Sequence, residues 1–84
     1  MKIIYTKHAE RKRNDLKLFG VTVSKSKIIQ AIKKPLYHSL DNGNSIAAVS
    51  FDKTHNLRVV YRKQENDILV ITFYIYRKGR YGED

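Results

Sequence analysis

The spacing of apolar residues changes near Pro35 and divides the chain into two parts. Before Pro35, apolar residues recur every three or four positions, which is typical of helices that bury one side. Residues 2–5 predict a short strand, and Thr6 is placed to cap a helix over residues 7–19 that Gly20 ends. Three apolar side chains share the inward side of this helix, namely Ala9, Leu16 and Phe19.

A second helix is predicted between Ser24 and Pro35. Ser24 is a favourable N-cap, and Val23 and Ile28 are spaced to pack against each other across the start of the helix. The helix ends at Pro35 because proline has no backbone N–H to continue it. Its expected inward face consists of Ile28, Ile29 and Ile32.

After Pro35 the period becomes two, which indicates β-strands. Four strands are predicted, over residues 36–41, 45–52, 57–64 and 68–77. Asn42-Gly43, between the first two, is a strong signal for a tight hairpin turn. The last strand is apolar on both faces, so we expect it inside the sheet rather than at an edge.

These elements predict a two-layer α+β fold in one domain over residues 1–84, with a short N-terminal strand, two helices and then a four-strand antiparallel meander. The two long C-terminal strands should be adjacent. Five of their side chains are expected beneath the second helix: Leu57, Val59, Leu69, Ile71 and Phe73. The helices can cover only one face of the sheet. The other face is expected to gather polar and aromatic side chains, which include Arg58, Arg62, Thr72, Tyr74 and Tyr76.

Length and composition limit the class of protein. A chain of 84 residues without cysteine has a small core and no disulfide framework, which favours a reducing compartment. The longest apolar run, residues 68–76, is far shorter than the roughly 20 residues of a membrane helix. The N-terminus has no long apolar segment, so no signal peptide is expected. We therefore expect a cytoplasmic protein without a membrane partner.

The charge of the chain indicates a polyanionic partner. Seventeen Lys and Arg residues stand against eight Asp and Glu residues, a net charge of +9. Residues 1–34 contain ten of these cations and two of the anions. Such asymmetry is typical of a surface that binds nucleic acid, although a small Lys-rich domain also gains solubility from its charge. The candidate nucleic-acid contacts are Lys7, Lys12, Arg13, Arg62, Lys78 and Arg80.

Two stretches of the chain resemble a known toxin superfamily. "RVVYR" (58–62), a polar turn and "ILVITFYIYRKGRY" (68–81) resemble the C-terminal half of RelE/ParE-superfamily toxins, whose order of elements is also similar. "KHAERKR" (7–13) looks like the opening of a small uncharacterised domain family related in pattern to BrnT-type toxins. The resemblance implies a RelE-like fold and a ribonuclease that cuts messenger RNA in the ribosome and is neutralised by a cognate antitoxin. ParE-type members instead inhibit gyrase by protein contact, so the fold alone leaves the activity open.

The resemblance also suggests site residues. It matches Arg58 to the arginine of the superfamily's R-x-x-Y strand, Arg77 to the arginine after the last strand, and Tyr81 to the closing tyrosine. His8, near the positive end of the first helix, is the best candidate base for metal-independent RNA cleavage, with Arg11 one turn further on. Both could equally be surface residues, with Arg11 paired to an acid on the next turn.

The remaining aromatic and histidine residues leave further alternatives open. Four tyrosines could stack on bases or simply pack within the sheet: Tyr61, Tyr74, Tyr76 and Tyr81. The three histidines, at spacings of 30 and 17 and without cysteine, match no metal-site pattern, so we expect neither a metal nor a cofactor. The alternative to a ribonuclease is a non-catalytic module whose basic face binds RNA, DNA or an acidic protein. The sequence leaves the oligomeric state open.

Overall fold

Two helices cover one face of a five-stranded sheet in the computed structural model, which describes residues 2–81. The elements are β1 (Ile3–Tyr5), α1 (Lys7–Leu18), α2 (Lys25–Lys33), β2 (Tyr37–Asp41), β3 (Asn44–Ser50), β4 (His55–Gln64) and β5 (Asp67–Arg77). The strands lie in the order β1-β5-β4-β3-β2. This arrangement confirms the α+β class.

The sheet differs from the predicted four-strand antiparallel meander because it has five strands and is mixed. β2 to β5 are successive antiparallel neighbours, but β1 joins the sheet in parallel beside β5, with Ile3 opposite Ile68 and Tyr5 opposite Val70. A parallel partner is reached only through a long crossover, so three apolar residues cannot reveal which strand they will join. β5 lies between β1 and β4, and its predicted interior position is confirmed.

Both predicted N-caps are formed. The hydroxyl of Thr6 accepts a hydrogen bond from the Ala9 N–H at 3.1 Å, and that of Ser24 accepts one from the Lys27 N–H at 3.1 Å.

The inward side of α1 was only partly predicted, because Phe19 follows the last turn and is 85% exposed, whereas Ala9 is buried. Within residues 2–81, no helix is long and apolar enough to cross a membrane.

The hairpin turn at Asn42-Gly43 is confirmed. Both residues have positive φ angles, 51° and 82°, as the tight turns that suit the twist of antiparallel strands require. It fixes the register of β2 against β3, so that Asp41 lies opposite Asn44 and Tyr37 opposite Ala48. β2 is thereby held at one edge of the sheet.

A β-bulge in β5 changes which side chains enter the core. Val60 lies opposite Thr72 and Tyr61 lies opposite Val70, so Ile71 is the extra residue between them. Because of this extra residue, Ile68 and Val70 are buried on the same side as Phe73. The prediction that Leu69 and Ile71 are buried there was therefore wrong, and both are only half-buried.

The core lies between the helices and one face of the sheet, which we call the core face. Its buried members from the sheet are Ala47, Val49, Leu57, Val59, Tyr61, Ile68, Val70 and Phe73, and those from the helices and the segment between them are Ala9, Val23, Ile28 and Ala31. Residues on the opposite side of the strands form what we call the open face. Alternation along β4 places Arg58, Val60 and Arg62 on the open face, as predicted.

Candidate nucleic-acid interface

A row of four side chains crosses the open face of the sheet. Tyr37 of β2 lies opposite Ala48 of β3, Ala48 lies opposite Arg58 of β4, and Arg58 lies opposite Tyr74 of β5. Residues that are opposite each other on neighbouring strands share one face, so all four project to the same side. The small Ala48 lies between the large Tyr37 and Arg58 and is fully buried.

Arg58 lies at the centre of a group of aromatic rings. Its Nη1 donates a hydrogen bond to the Tyr74 hydroxyl at 3.3 Å. Its guanidinium carbon lies 5.5 Å from the centroid of the Tyr76 ring and 4.0 Å from that of Tyr81. The rings of Tyr76 and Tyr81 also meet edge to face, with centroids 4.8 Å apart. We call Arg58, Tyr74, Tyr76 and Tyr81 the Arg58–tyrosine cluster.

Tyr81 reaches this cluster because the chain turns back after β5. Gly79 has a φ of +87°, which L-residues with a side chain rarely adopt, and the Arg80 N–H donates to the Arg77 carbonyl at 3.1 Å. Lys78 fixes the start of this turn to the β3–β4 end of the sheet. Its backbone N–H donates to the Thr54 carbonyl at 2.9 Å, and its Nζ donates to the Ser50 hydroxyl at 3.1 Å.

Asn56 supports the cluster from within the sheet, and sequence reasoning missed it. Its side chain is on the open face opposite Tyr76 and is only 1% exposed. Its Nδ2 lies within hydrogen-bond reach of the Tyr76 hydroxyl, at 3.4 Å. A polar residue at the start of a strand is usually part of a turn, so no local signal in the sequence predicts that Asn56 is buried.

Besides Lys78, whose Nζ binds Ser50 opposite Asn56, three of the predicted nucleic-acid contacts lie on or beside the open face. Lys12 extends from α1 so that its Nζ is 5.8 Å from the centroid of the Tyr74 ring. The Arg80 guanidinium lies 5.8 Å from the Tyr81 ring centroid. Arg62 donates from Nε to the Asn44 side-chain oxygen at 3.0 Å, which holds its cation beside the β2–β3 hairpin.

Arg77 is placed away from Arg58. On β5, Tyr74 lies opposite Arg58, whereas Arg77 lies opposite His55. Successive strand residues point to alternate faces, so Arg77, three positions after Tyr74, belongs to the core-face side at the end of the strand, where it is exposed. The pleat of the sheet thus separates two arginines that the sequence pattern had grouped.

His8 and Arg11 lie on α1 and are exposed. Together with Lys12 and Phe19 they line a shallow cavity of about 180 Å³ on the outer side of that helix. Since Lys12 also approaches Tyr74, this side of α1 borders the open face. The contact between Lys12 and Tyr74 links this side of α1 to the Arg58–tyrosine cluster, and neither His8 nor Arg11 is a member of that cluster.

Three further predicted residues lie elsewhere. Arg13 packs over the Tyr5 ring, with its guanidinium carbon 6.0 Å from the centroid, and forms a 3.8 Å ion pair with Glu10. Burial raises the pKa of Tyr5 above its ordinary value. Lys7 is exposed at the start of α1, and Tyr61 is a core residue rather than a stacking surface.

Asp52 organises the turn between β3 and β4. Its Oδ1 accepts hydrogen bonds from the Thr54 N–H at 2.8 Å and from the His55 N–H at 2.7 Å, and it lies 3.1 Å from the His55 Nδ1. The bond from the Thr54 amide holds the pKa of Asp52 below its ordinary value, with smaller contributions from His55. The same turn contains the Thr54 carbonyl, which accepts the hydrogen bond from the Lys78 N–H.

No cluster of three or more His, Cys, Asp or Glu side chains suited to a metal ion occurs in the part of the chain that the structure describes. The chemical groups that the open face offers include guanidinium, ammonium, phenol, hydroxyl and amide. No protein-family model, curated protein or solved structure matches this chain.

Proposed function

We propose that the open face binds single-stranded RNA and that the Arg58–tyrosine cluster is the centre of this interface. The observation behind this proposal is the 4.0 Å approach of the Arg58 guanidinium to the Tyr81 ring. This contact holds a guanidinium, a group that forms charge-assisted hydrogen bonds to phosphate, beside an exposed aromatic ring of the kind on which bases stack.

The surroundings of the cluster support a strand of several nucleotides. Lys12 adds a cation at the α1 side, and Arg80 adds one beside Tyr81. Arg62 continues the basic surface along β4 toward the β2–β3 hairpin. Non-specific single-strand binding commonly combines such a line of cations with exposed aromatic rings, because the phosphates and the bases alternate along the strand.

Fluorescence anisotropy with labelled RNA tests this proposal. We expect the full chain to bind a single-stranded RNA oligomer at low salt more tightly than it binds an RNA duplex of the same length, because paired bases cannot stack on the tyrosines. Equal affinity for the two forms would assign the binding to charge alone, and absence of binding at low salt would refute the proposal.

We further propose that the chain cleaves the RNA it binds, as the RelE/ParE resemblance implies, in the manner of a toxin ribonuclease with a cognate antitoxin. In metal-independent cleavage, the 2′-oxygen forms a bond to the adjacent phosphorus while the bond to the 5′-oxygen breaks. A base removes the 2′-proton, and an acid protonates the leaving 5′-oxygen. His8 is the proposed base because its side of α1 borders the cluster, and Arg58 would stabilise the charge on the phosphate.

Transcript integrity after induced expression tests the cleavage proposal, with growth arrest as a second measurement. The Arg58→Ala variant should lower the cleavage rate by about 10²–10³ through loss of an electrostatic partner. The His8→Gln variant should lower it by about 10²–10⁴ while RNA binding is nearly retained. If wild type leaves RNA intact even with ribosomes present, the chain is a binding module and the cleavage proposal fails.

A further inference from the structure

The two edges of the sheet are protected differently. At one edge, β1 has only three residues, Lys2 directly precedes it, and two more cations lie over its Tyr5 ring. These are the Arg13 guanidinium and the Lys25 ammonium, at 6.0 and 5.2 Å from the ring centroid. At the other edge, β2 has five residues, four of them exposed, and contains no Lys, Arg or Pro. Short length, charge and proline keep edge strands from pairing with other chains, so β2 is the less protected edge.

The helices leave β2 uncovered. Within residues 2–81, α2 packs against β3 and β4, and β2 packs against β3 alone. His38 lies opposite the core residue Ala47, so Leu40, two positions further on, also points to the core-face side. Because α2 does not reach this strand, Leu40 is 74% exposed. A single exposed leucine is ordinary on a protein surface, so Leu40 indicates a partner only together with the strand edge beside it.

The outer edge of β2 presents backbone hydrogen-bonding groups. In an antiparallel ladder, residue pairs that exchange two hydrogen bonds alternate with pairs that exchange none. Asp41 and Asn44 close the two-residue hairpin turn as a bonded pair, so Ser39 and Asp41 bond to β3. The N–H and C=O groups of His38 and Leu40 therefore point away from β3, where another antiparallel strand can bond to all four of them.

The distribution of charge indicates which chain pairs with this edge. The net charge is +9, so two copies repel each other wherever their basic surfaces meet. Residues 35–52, which include β2 and β3, form the longest stretch of the chain without Lys or Arg and contain two Asp residues. An acidic peptide would find no cation along this strand, whereas a second copy can approach here without bringing two basic strands together.

We infer that β2 pairs antiparallel with β2 of a second copy, around a twofold axis at Ser39. In this register His38 of each copy lies opposite Leu40 of the other, and the two residues exchange their outward hydrogen bonds. The two Leu40 side chains are then diagonal neighbours, at a separation of about 7–8 Å that long side chains bridge. Asp41, at the end of one β2, also comes beside the start of the other, which follows Lys34.

This pairing joins the two sheets edge to edge, with both open faces on the same side, because the twofold axis is perpendicular to the sheet. The two Arg58 side chains are then five strand spacings apart, about 24 Å across the sheet at about 4.8 Å for each spacing. A five-residue strand buries much less than the roughly 800 Å² per partner of a standard interface, so we expect a weak dimer. Self-association does not require RNA.

Analytical ultracentrifugation of the full chain without RNA, from micromolar to millimolar concentration, tests the inference. We expect a reversible equilibrium between monomer and dimer. Leu40→Lys places two like charges near each other across the axis and should weaken the dimer by about 10-fold or more. Leu18→Lys makes the same change at an exposed position of α1 and should leave the dimer unchanged. A wild type that stays monomeric at millimolar concentration, with the edge left to an extended segment of another protein, would overturn the inference.

Hydrogen exchange of the β2 amides locates the interface. The amides of His38 and Leu40 should become protected as the protein concentration rises, whereas those of Ser39 and Asp41, which bond to β3, should not change. His38→Pro removes an outward N–H without removing a bond to β3, so it should weaken the dimer while the fold is retained. A dimer in which the His38 and Leu40 amides exchange as fast as in the monomer has its interface elsewhere, and that result would also overturn the inference.

Discussion

The Arg58 guanidinium carbon lies 4.0 Å from the centroid of the Tyr81 ring, although the two residues come from different elements of the chain. Arg58 is fixed by its position on β4, and Tyr81 is brought to it by the turn that follows β5. A cation at this distance from an aromatic face is attracted by about 0.5–1 kcal/mol at an exposed site. The contact therefore orients the arginine more than it stabilises the fold.

Tyr81 is expected to contribute to RNA binding as well as to the packing of the cluster. Tyr81→Ala should lower the free energy of unfolding by about 0.5–1 kcal/mol for the cation–π contact and about 0.5–1.5 kcal/mol for the edge-to-face contact with Tyr76. RNA affinity should fall by about 1–3 kcal/mol for one stacked base. Tyr81→Phe keeps the ring and should bind almost as wild type does. Anisotropy and thermal denaturation of the same samples measure both effects, and a loss of stability without a loss of RNA affinity would contradict a stacking role.

The salt dependence of RNA binding should report the number of phosphates that the open face neutralises. If Lys12, Arg58, Arg62 and Arg80 each bind one phosphate, the slope of log K against log salt should be about −2.8, at about −0.7 for each single-strand phosphate. Arg62→Ala should reduce the slope by about 0.7. Lys33→Ala, at the end of α2, removes an exposed cation elsewhere and should leave the slope unchanged. A slope near zero would mean that the charge serves solubility alone.

Thr6 is expected to be the more important of the two helix caps because it also binds the β-bulge. Its hydroxyl accepts from the Ala9 N–H at 3.1 Å and donates to the Ile71 carbonyl at 2.7 Å. Thr6→Ala should cost about 0.5–2 kcal/mol for the cap and about 1 kcal/mol more for the bond to Ile71. Ser24→Ala removes a cap alone, and Thr6→Ser keeps both bonds. Urea denaturation of the three variants measures this order, and equal costs for Thr6→Ala and Ser24→Ala would contradict it.

The turn at Asp52 should make stability depend on pH in the acid range. The Thr54 amide lowers the pKa of Asp52 in the folded state below its ordinary value of 3.8. A group with a lowered folded pKa stabilises the protein above its unfolded pKa, and this contribution is lost as the pH falls through the folded value. The unfolding free energy of Asp52→Asn should therefore vary less than that of wild type below about pH 4. Asp15→Asn, on α1, is the control, and parallel pH curves for wild type and Asp52→Asn would contradict the prediction.

Much of the fold was predictable because it depends on local signals. The caps at Thr6 and Ser24 and the turn at Asn42-Gly43 follow from the hydrogen bonds and φ angles that these residue types favour. The face that Arg58 and Arg62 share follows from the period of two along β4. These features need no knowledge of distant parts of the chain.

The remaining features depend on contacts between distant residues. The bulge at Ile71 is coupled to Thr6, which is far away in sequence, and it moves Leu69 and Ile71 away from the core face. The return of Tyr81 to Arg58 requires the turn at Gly79 and the bonds that Lys78 makes to the sheet. The sequence pattern predicts neither the bulge nor the return of Tyr81, because the residues around each are those of an ordinary strand or tail.

Arg77 is a residue at which the expectation from the sequence motif and the structure disagree. The resemblance grouped Arg77 with Arg58, but the register places Arg77 opposite His55 and on the other side of the pleat. The two arginines belong to adjacent strands. They therefore form a matched pair, in which the same substitution removes the same charge from opposite faces of one sheet.

The affinity of Arg58→Ala for single-stranded RNA, compared with that of Arg77→Ala, tests the central proposal most directly. Both variants lose one positive charge, and circular dichroism and thermal denaturation establish that each is folded. If the open face is the interface, Arg58→Ala should lose about 10-fold or more in affinity, as for a charge-assisted hydrogen bond of about 1.5–3 kcal/mol, while Arg77→Ala should stay within about threefold of wild type. An equal loss in the two variants, or a larger loss for Arg77→Ala, would contradict an interface centred on Arg58.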